Sequence, residues 1–221
     1  MPTTIHQTII RFPEIQLATR DSHKLRGYFG NLFKEQSPLL HNHLESGEQL
    51  YQYPVVQYKV LQGVPTLVGL NEGAELLIQL FLRIKEIAID NISYPVLQKN
   101  IESRQVSIGL SDDLHAYRFE TLWMALNQQN YTEYMKEDEP QQSRHLKAIL
   151  VGNMLSFYKA MGYQIPDKIM ANLQVTARKE TQFKNNTMLA FEGTFVTNAL
   201  LPSFVGLGKS VSRGFGTILM T

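Results

Sequence analysis

Two histidines, His41 and His43, stand one residue apart in the run Leu39-Leu40-His41-Asn42-His43. Imidazole changes protonation near neutral pH, so it serves as general acid or general base. Two imidazoles in reach of one scissile phosphate can divide the labour. One takes the proton of a ribose 2′-hydroxyl, and the other protonates the leaving 5′-oxygen. Lys34 lies upstream, where an ammonium could stabilise charge on a pentacoordinate phosphorane. Tyr51 lies downstream, where a hydroxyl could orient the phosphate, and Tyr53 is an equally available alternative. A His-x-His pair also occurs in metal sites. No third ligand stands at a recognised spacing, so no metal and no cofactor is expected. The plain alternative is a pair of solvated loop histidines. His6, His23, His115 and His145 are isolated and read as structural or solvated. There is no Gly-x-Ser-x-Gly elbow for serine catalysis.

The second chemical feature is the run from Gly206 to Thr221, G-L-G-K-S-V-S-R-G-F-G-T-I-L-M-T. Two Gly-x-Gly pairs, Gly206/Gly208 and Gly214/Gly216, flank an insert that carries Lys209 and Arg213. Free backbone N–H groups in such a loop can form an anion-binding nest, and two cations flank it. A dinucleotide fingerprint must open a helix within a βαβ unit, and only five residues follow Gly216. A Walker loop needs an upstream spacing that Lys209-Ser210 lacks. The competing reading is a glycine-rich hairpin between two strands.

These residues need elements to hold them. Ile5 to Phe12 reads as a strand. Asp21-Ser22 opens a helix that the spacing of Leu25, Tyr28, Phe29, Leu32 and Phe33 carries to Gln36, leaving residues 36–52 as the polar loop with the histidines. Tyr53 to Leu61 and Val64 to Leu70 are strands around a Gln62-Gly63 turn, Glu72 to Ile84 is an amphipathic helix, and residues 87–110 hold further strand. Strand, helix, strand, strand, helix, strand is the ferredoxin-like order. Further on, Tyr117 to Trp123 looks like strand, with its aromatic residues packed in a core rather than stacked on bases. Glu137-Asp138-Glu139 reads as an acidic solvated loop, and Pro140 as a break before a helix over Gln142 to Met161. Gln174–Lys179, Thr187–Thr197 and Gly214–Met220 are strand candidates. Together they suggest a degenerate second ferredoxin-like unit, with the boundary near residues 105–115.

With 221 residues and 43% apolar content, the chain has room for two small domains with real cores. It has no cysteine, which excludes disulfides and thiolate metal sites and fits a reducing, cytoplasmic setting. The start of the sequence shows no signal-peptide pattern, and no apolar run approaches a membrane span. The net charge of +1 is unevenly spread. Residues 1–140 carry 12 Lys/Arg against 17 Asp/Glu, and residues 141–221 carry 9 against 3. A basic C-terminal third points to a polyanionic partner.

The block Gly206-Leu207-Gly208, five residues with Lys209 and Arg213, then Gly214-Phe215-Gly216 resembles the glycine-rich loop of the Cas6 family of CRISPR RNA-processing endoribonucleases. Phe191 to Phe195, Asn198 to Phe204 and Tyr117 to Asn130 resemble neighbouring parts of that family's second domain. The placing of Lys34, His41, His43 and Tyr51 is similar to the Cas6b branch. The resemblance implies an α+β chain of two tandem ferredoxin-like (RRM-like) domains, residues 1–108 with the catalytic loop and 109–221 with the glycine loop. It implies metal-independent cleavage of CRISPR repeat RNA (precursor crRNA), leaving a 2′,3′-cyclic phosphate. It admits a homodimer and other Cas proteins as partners. A silent RNA-holding subunit of the same fold, or a mononucleotide-binding enzyme using the glycine loop, are the competing classes.

Overall fold

The computed structural model describes residues 2–33, 53–183 and 186–221. Lys34, His41, His43 and Tyr51 lie outside the described residues. The chain divides into two compact units. One holds residues 4–106 together with 212–214, and the other holds residues 1–3, 107–211 and 215–221.

The first unit runs β1 (Thr3–Arg11), α1 (Ser22–Leu32), β2 (Val56–Leu61), β3 (Val64–Leu70), α2 (Glu72–Phe81), a hairpin of β4 (Glu86–Ile89) and β5 (Ile92–Pro95), and then the first part of β6 (Asn100–Phe119). The sheet order is β2-β3-β1-β6. It pairs the first strand with the third and fourth, as the ferredoxin-like pattern requires. The register is set at the β2–β3 turn, where Gln62 and Gly63 both take positive φ (50° and 86°) and Leu61 pairs with Val64. That is the primed two-residue turn that matches strand twist. Asp90 and Asn91 make the same kind of turn between β4 and β5.

One face of this sheet carries Ile10, Val56, Tyr58, Val60 and Leu67 against Leu25 and Phe29 from α1, Phe33 just beyond it, and Leu77 and Leu80 from α2. Phe29 is the hub, with its ring 6.3 Å from Phe12 and from Phe33 and 5.9 Å from Tyr58. Such aromatic contacts add to the area term of burial. The opposite face, with Gln7, Ile9, Gln57, Lys59, Thr66 and Val68, is also buried. The spacing expectation for α1 was too long, since the backbone leaves the helix at Phe33 (φ −118°, ψ 24°). Two glycines inside α1 lower its intrinsic propensity, so its extent follows the packed face of Leu25 and Phe29 rather than periodicity alone.

The second unit runs from the latter part of β6 through α3 (Gln128–Tyr134) and α4 (Glu139–Ala160), β7 (Ala171–Phe183), β8 (Asn186–Leu200) and β9 (Ile218–Met220). Here β6 pairs with β8 from Gly109 to Arg118 and with β9 from Tyr117 to Phe119, while β7 pairs with β8. Its strands again pair first with third and fourth. The helix expected between third and fourth is replaced by residues 201–217, the glycine run. This unit is therefore ferredoxin-like with its second helix exchanged for a loop.

Its core is aromatic. Trp123, Tyr117, Phe119, Phe191 and Phe195 are buried, with Phe119 stacked 5.1 Å from Trp123 and Tyr117 stacked 5.2 Å from Phe195. The buried polar tips of Trp123, Tyr117 and Tyr158 have partners. The Trp123 Nε1–H donates to Asn153 Oδ1, and the Tyr158 hydroxyl reaches the Gly109 and Leu200 carbonyls. The acidic triplet turns out to be structural. Asp138 caps α4 by accepting from the Gln141 amide, Gln141 returns a bond to the Asp138 amide, and Glu137 pairs with His145 at 3.0 Å. Pro140 lies in the first turn of α4, where its missing N–H costs nothing, and so does not break the helix.

Candidate nucleic-acid interface

The catalytic candidates lie outside the described residues, and the chain on either side of them is packed in the first unit's core. α1 delivers the chain to Phe33 (3% exposed), and β2 takes it up again at Val56 (1% exposed). Tyr53, the alternative to Tyr51, is described, and its hydroxyl accepts a hydrogen bond from Gln57 Nε2 at 2.9 Å.

The glycine run is more tightly bound than an open nest. Within the second unit, the Leu207 amide donates to the Gly216 carbonyl, Lys209 to Met124 and Gly216 to Leu122, each at 2.8–2.9 Å. Gly208 takes φ +92° beside the Trp123 indole, where an added Cβ would lie 2.7 Å from Nε1. Glycine is required there by backbone conformation and by space together. These three amides are committed internally. Lys209 is exposed and Arg213 half-buried.

Residues 212–214 belong to the first unit, and Gly214 shows why. It takes φ +88°, and an added Cβ would meet Ser22 Oγ at 2.7 Å and the Tyr58 carbonyl at 3.2 Å. Ser22 opens α1, and its hydroxyl donates to the Thr19 carbonyl and accepts from the Val60 amide at 3.1 Å. One turn further along the same face of α1 is Arg26, half-buried. Burial lowers the Arg26 guanidinium pKa, and the positive charge of Arg213 lowers it further, against an opposing contribution from Tyr58. Burial also lowers that of Arg213. Both groups stay protonated.

Sequence reasoning missed Arg26 and Lys59. Arg26 carries one faint signal, a cation beside core positions Leu25 and Phe29. Lys59 is fully buried on β2, and burial lowers its pKa to about 7. It stands in an alternating strand as though on a solvated face, so nothing in its neighbours announces that burial. His6 bonds Ser103 at 2.7 Å and His145 bonds Glu137, both structural settings. Among the described residues no three His, Asp or Glu gather where they would hold a metal, and no helix is long and apolar enough to cross a membrane.

The family model of the Cas6b N-terminal domain matches residues 3–107, and that of the Cas6b C-terminal domain matches residues 109–221. The chain belongs to the Cas6b family. A crystal structure of Cas6b superposes with a TM-score of 0.94 at 33% identity, over 99% of this chain and 100% of that one. A second, described as the CRISPR RNA processing endoribonuclease Cas6b, gives a TM-score of 0.78 at 31% identity over 99% and 100%. An uncharacterized protein of Methanocaldococcus jannaschii is 32% identical over 141 residues, which are 64% of this chain and 96% of that protein. The Cas6b matches thus cover both units, and the two ferredoxin-like domains are those of the family.

Proposed function

We propose that this Cas6b-family chain is an endoribonuclease that cuts CRISPR repeat RNA without a metal. The observation that carries the reading is the coincidence of Cas6b matches over both halves with a His-x-His pair in the sequence between α1 and β2. In this mechanism the ribose 2′-hydroxyl next to the scissile phosphate attacks in line. One of His41 and His43 removes its proton while the other protonates the departing 5′-oxygen, which leaves a 2′,3′-cyclic phosphate. Lys34 stabilises charge on the phosphorane and Tyr51 orients the phosphate. Positioning and proton transfer supply the rate, each imidazole contributing on the order of 10²–10⁴-fold. Residues 1–108 carry the chemistry, and the glycine run of residues 109–221 holds the RNA backbone through Lys209 and Arg213. That division agrees with the basic charge of the C-terminal third.

The test is cleavage of labelled repeat RNA from the host array in EDTA, beside a His41→Ala/His43→Ala variant. A single cut that survives EDTA, and that falls at least about 10³-fold in the variant, is expected. RNA bearing a 2′-deoxy sugar at the scissile nucleotide should bind and stay whole. Cleavage of that deoxy substrate would falsify the mechanism. Binding without any cut by the parent would assign the chain to an RNA-holding role.

A further inference from the structure

We propose that the exposed face of α4 docks RNA, with Arg144, Lys147 and Lys159 holding backbone phosphates. RNA as the occupant rests on the proposed function, whereas the face belongs to the second unit alone. Arg144, Lys147, Val151, Leu155 and Lys159 follow one another at spacings of three and four residues, so they form one stripe along the helix. Leu146, Leu150, Met154 and Phe157 are buried away from it. The three cations are exposed, Val151 is half-buried and Leu155 is 45% exposed. From Arg144 to Lys159 the stripe runs about 22 Å along the helix axis.

The stripe's charge is of one sign. Residues 140–166 contain no Asp or Glu, so no carboxylate of α4 stands one turn away from any of the three cations. Among the described residues, the ion pairs of the second unit join Arg118 to Glu120 and His145 to Glu137, and include none of the three. Exposed helix faces ordinarily intersperse both signs, because opposite charges three or four residues apart stabilise a helix and like charges weaken it. Arg144 and Lys147 are such a like pair. Lys159 suits the negative end of the helix dipole in the last turn, but Arg144 and Lys147 lie toward the opposite end and gain nothing from it. The fold by itself has no use for this arrangement. A line of phosphates supplies the missing countercharge along the stripe. The stripe also places 3 of the 9 Lys/Arg of residues 141–221, the basic third that points to a polyanionic partner.

The experiment measures the affinity of repeat RNA with a 2′-deoxy sugar at the scissile nucleotide, across a KCl series. It compares the parent with Arg144→Gln/Lys147→Gln/Lys159→Gln. A control, Arg20→Gln/Lys85→Gln/Lys168→Gln, removes the same charge from exposed positions elsewhere. The α4 variant should bind at least about tenfold more weakly at low salt, with a salt slope smaller by about two. The control should stay within about threefold of the parent, since its charges lie off the stripe. A charge-keeping variant, Arg144→Lys/Lys147→Arg/Lys159→Arg, should bind as the parent does. Uncut RNA with its natural sugar should be cleaved at the parent's rate once the α4 variant is saturated, because docking is not chemistry. Unchanged affinity in the α4 variant sinks the proposal. Equal weakening in the control also sinks it, as does weakening in the charge-keeping variant. If the parent binds no repeat RNA, the proposed function fails, and oligouridylate of the same length decides the face alone. Oligouridylate binding that the α4 variant loses upholds the face, and absent or equal binding overturns it.

Discussion

Lys59 sets the sharpest question at the level of single residues, because an ammonium with no exposed surface stands in β2. Its folded pKa of about 7 lies below the ordinary 10.5. Above pH 10.5 the side chain is neutral in both folded and unfolded chains, and its ionisation costs folding nothing. As pH falls from 10.5 to 7 the unfolded chain takes up the proton first, so stability declines through that window. Below pH 7 the whole penalty is present. Lys59→Met should therefore stabilise the protein, by about 2–4 kcal/mol near pH 6, with a gain that shrinks toward pH 10. Denaturant titrations of both proteins at several pH values read this directly. A gain that grows with pH would contradict the assignment. Residues differ in how openly the sequence shows them. His41 and His43 are neighbours in the chain, so a motif exposes them. Ser22 and Gly214 become neighbours only through folding across the length of the chain, and no local pattern encodes that.

Among the elements, the exchange of a helix for the glycine run decides how the second unit holds together. A helix satisfies its own backbone, but this loop must borrow acceptors. It finds them at Leu122 and Met124, just beyond β6. Gly208 lies at the centre of that seam against Trp123. Gly208→Ala should lower stability by about 2–4 kcal/mol through combined φ strain and a clash with the buried indole. The loss would show as a lower thermal midpoint together with altered Trp123 fluorescence. A variant with the parent's midpoint would mean that the seam yields. The strands and turns of the first unit were legible because alternation and Gln62-Gly63 are local signals. Residues 137–140 were misread because the roles of Asp138 and Pro140 depend on where α4 begins, and the packing of Leu146, Leu150 and Met154 sets that start. The run's glycines were visible in the sequence, but not that the Leu207, Lys209 and Gly216 amides are bonded inside the second unit.

At the scale of the whole molecule, the twofold repetition of a ferredoxin-like order was readable from element types, even without an internal sequence repeat. The exchange of residues 212–214 into the first unit was not, because three residues carry no signal of their own. A substitution there should be felt far away in sequence. Gly214→Val should press on Ser22 and speed hydrogen exchange at the Val60 amide, which donates to the Ser22 hydroxyl. Exchange at Tyr158 and its neighbours on α4, in the other unit, should change less. Equal acceleration in both units would show that the two do not open separately.

The borrowed triplet also bears on biosynthesis. A ribosome delivers residues 4–106 well before it reaches residue 212. The first unit can gather its sheet and its Phe29-centred core early, but the face of α1 around Ser22 waits for its covering until residues 212–214 have been made. Translation order thus withholds residues 212–214 from the domain that is made first.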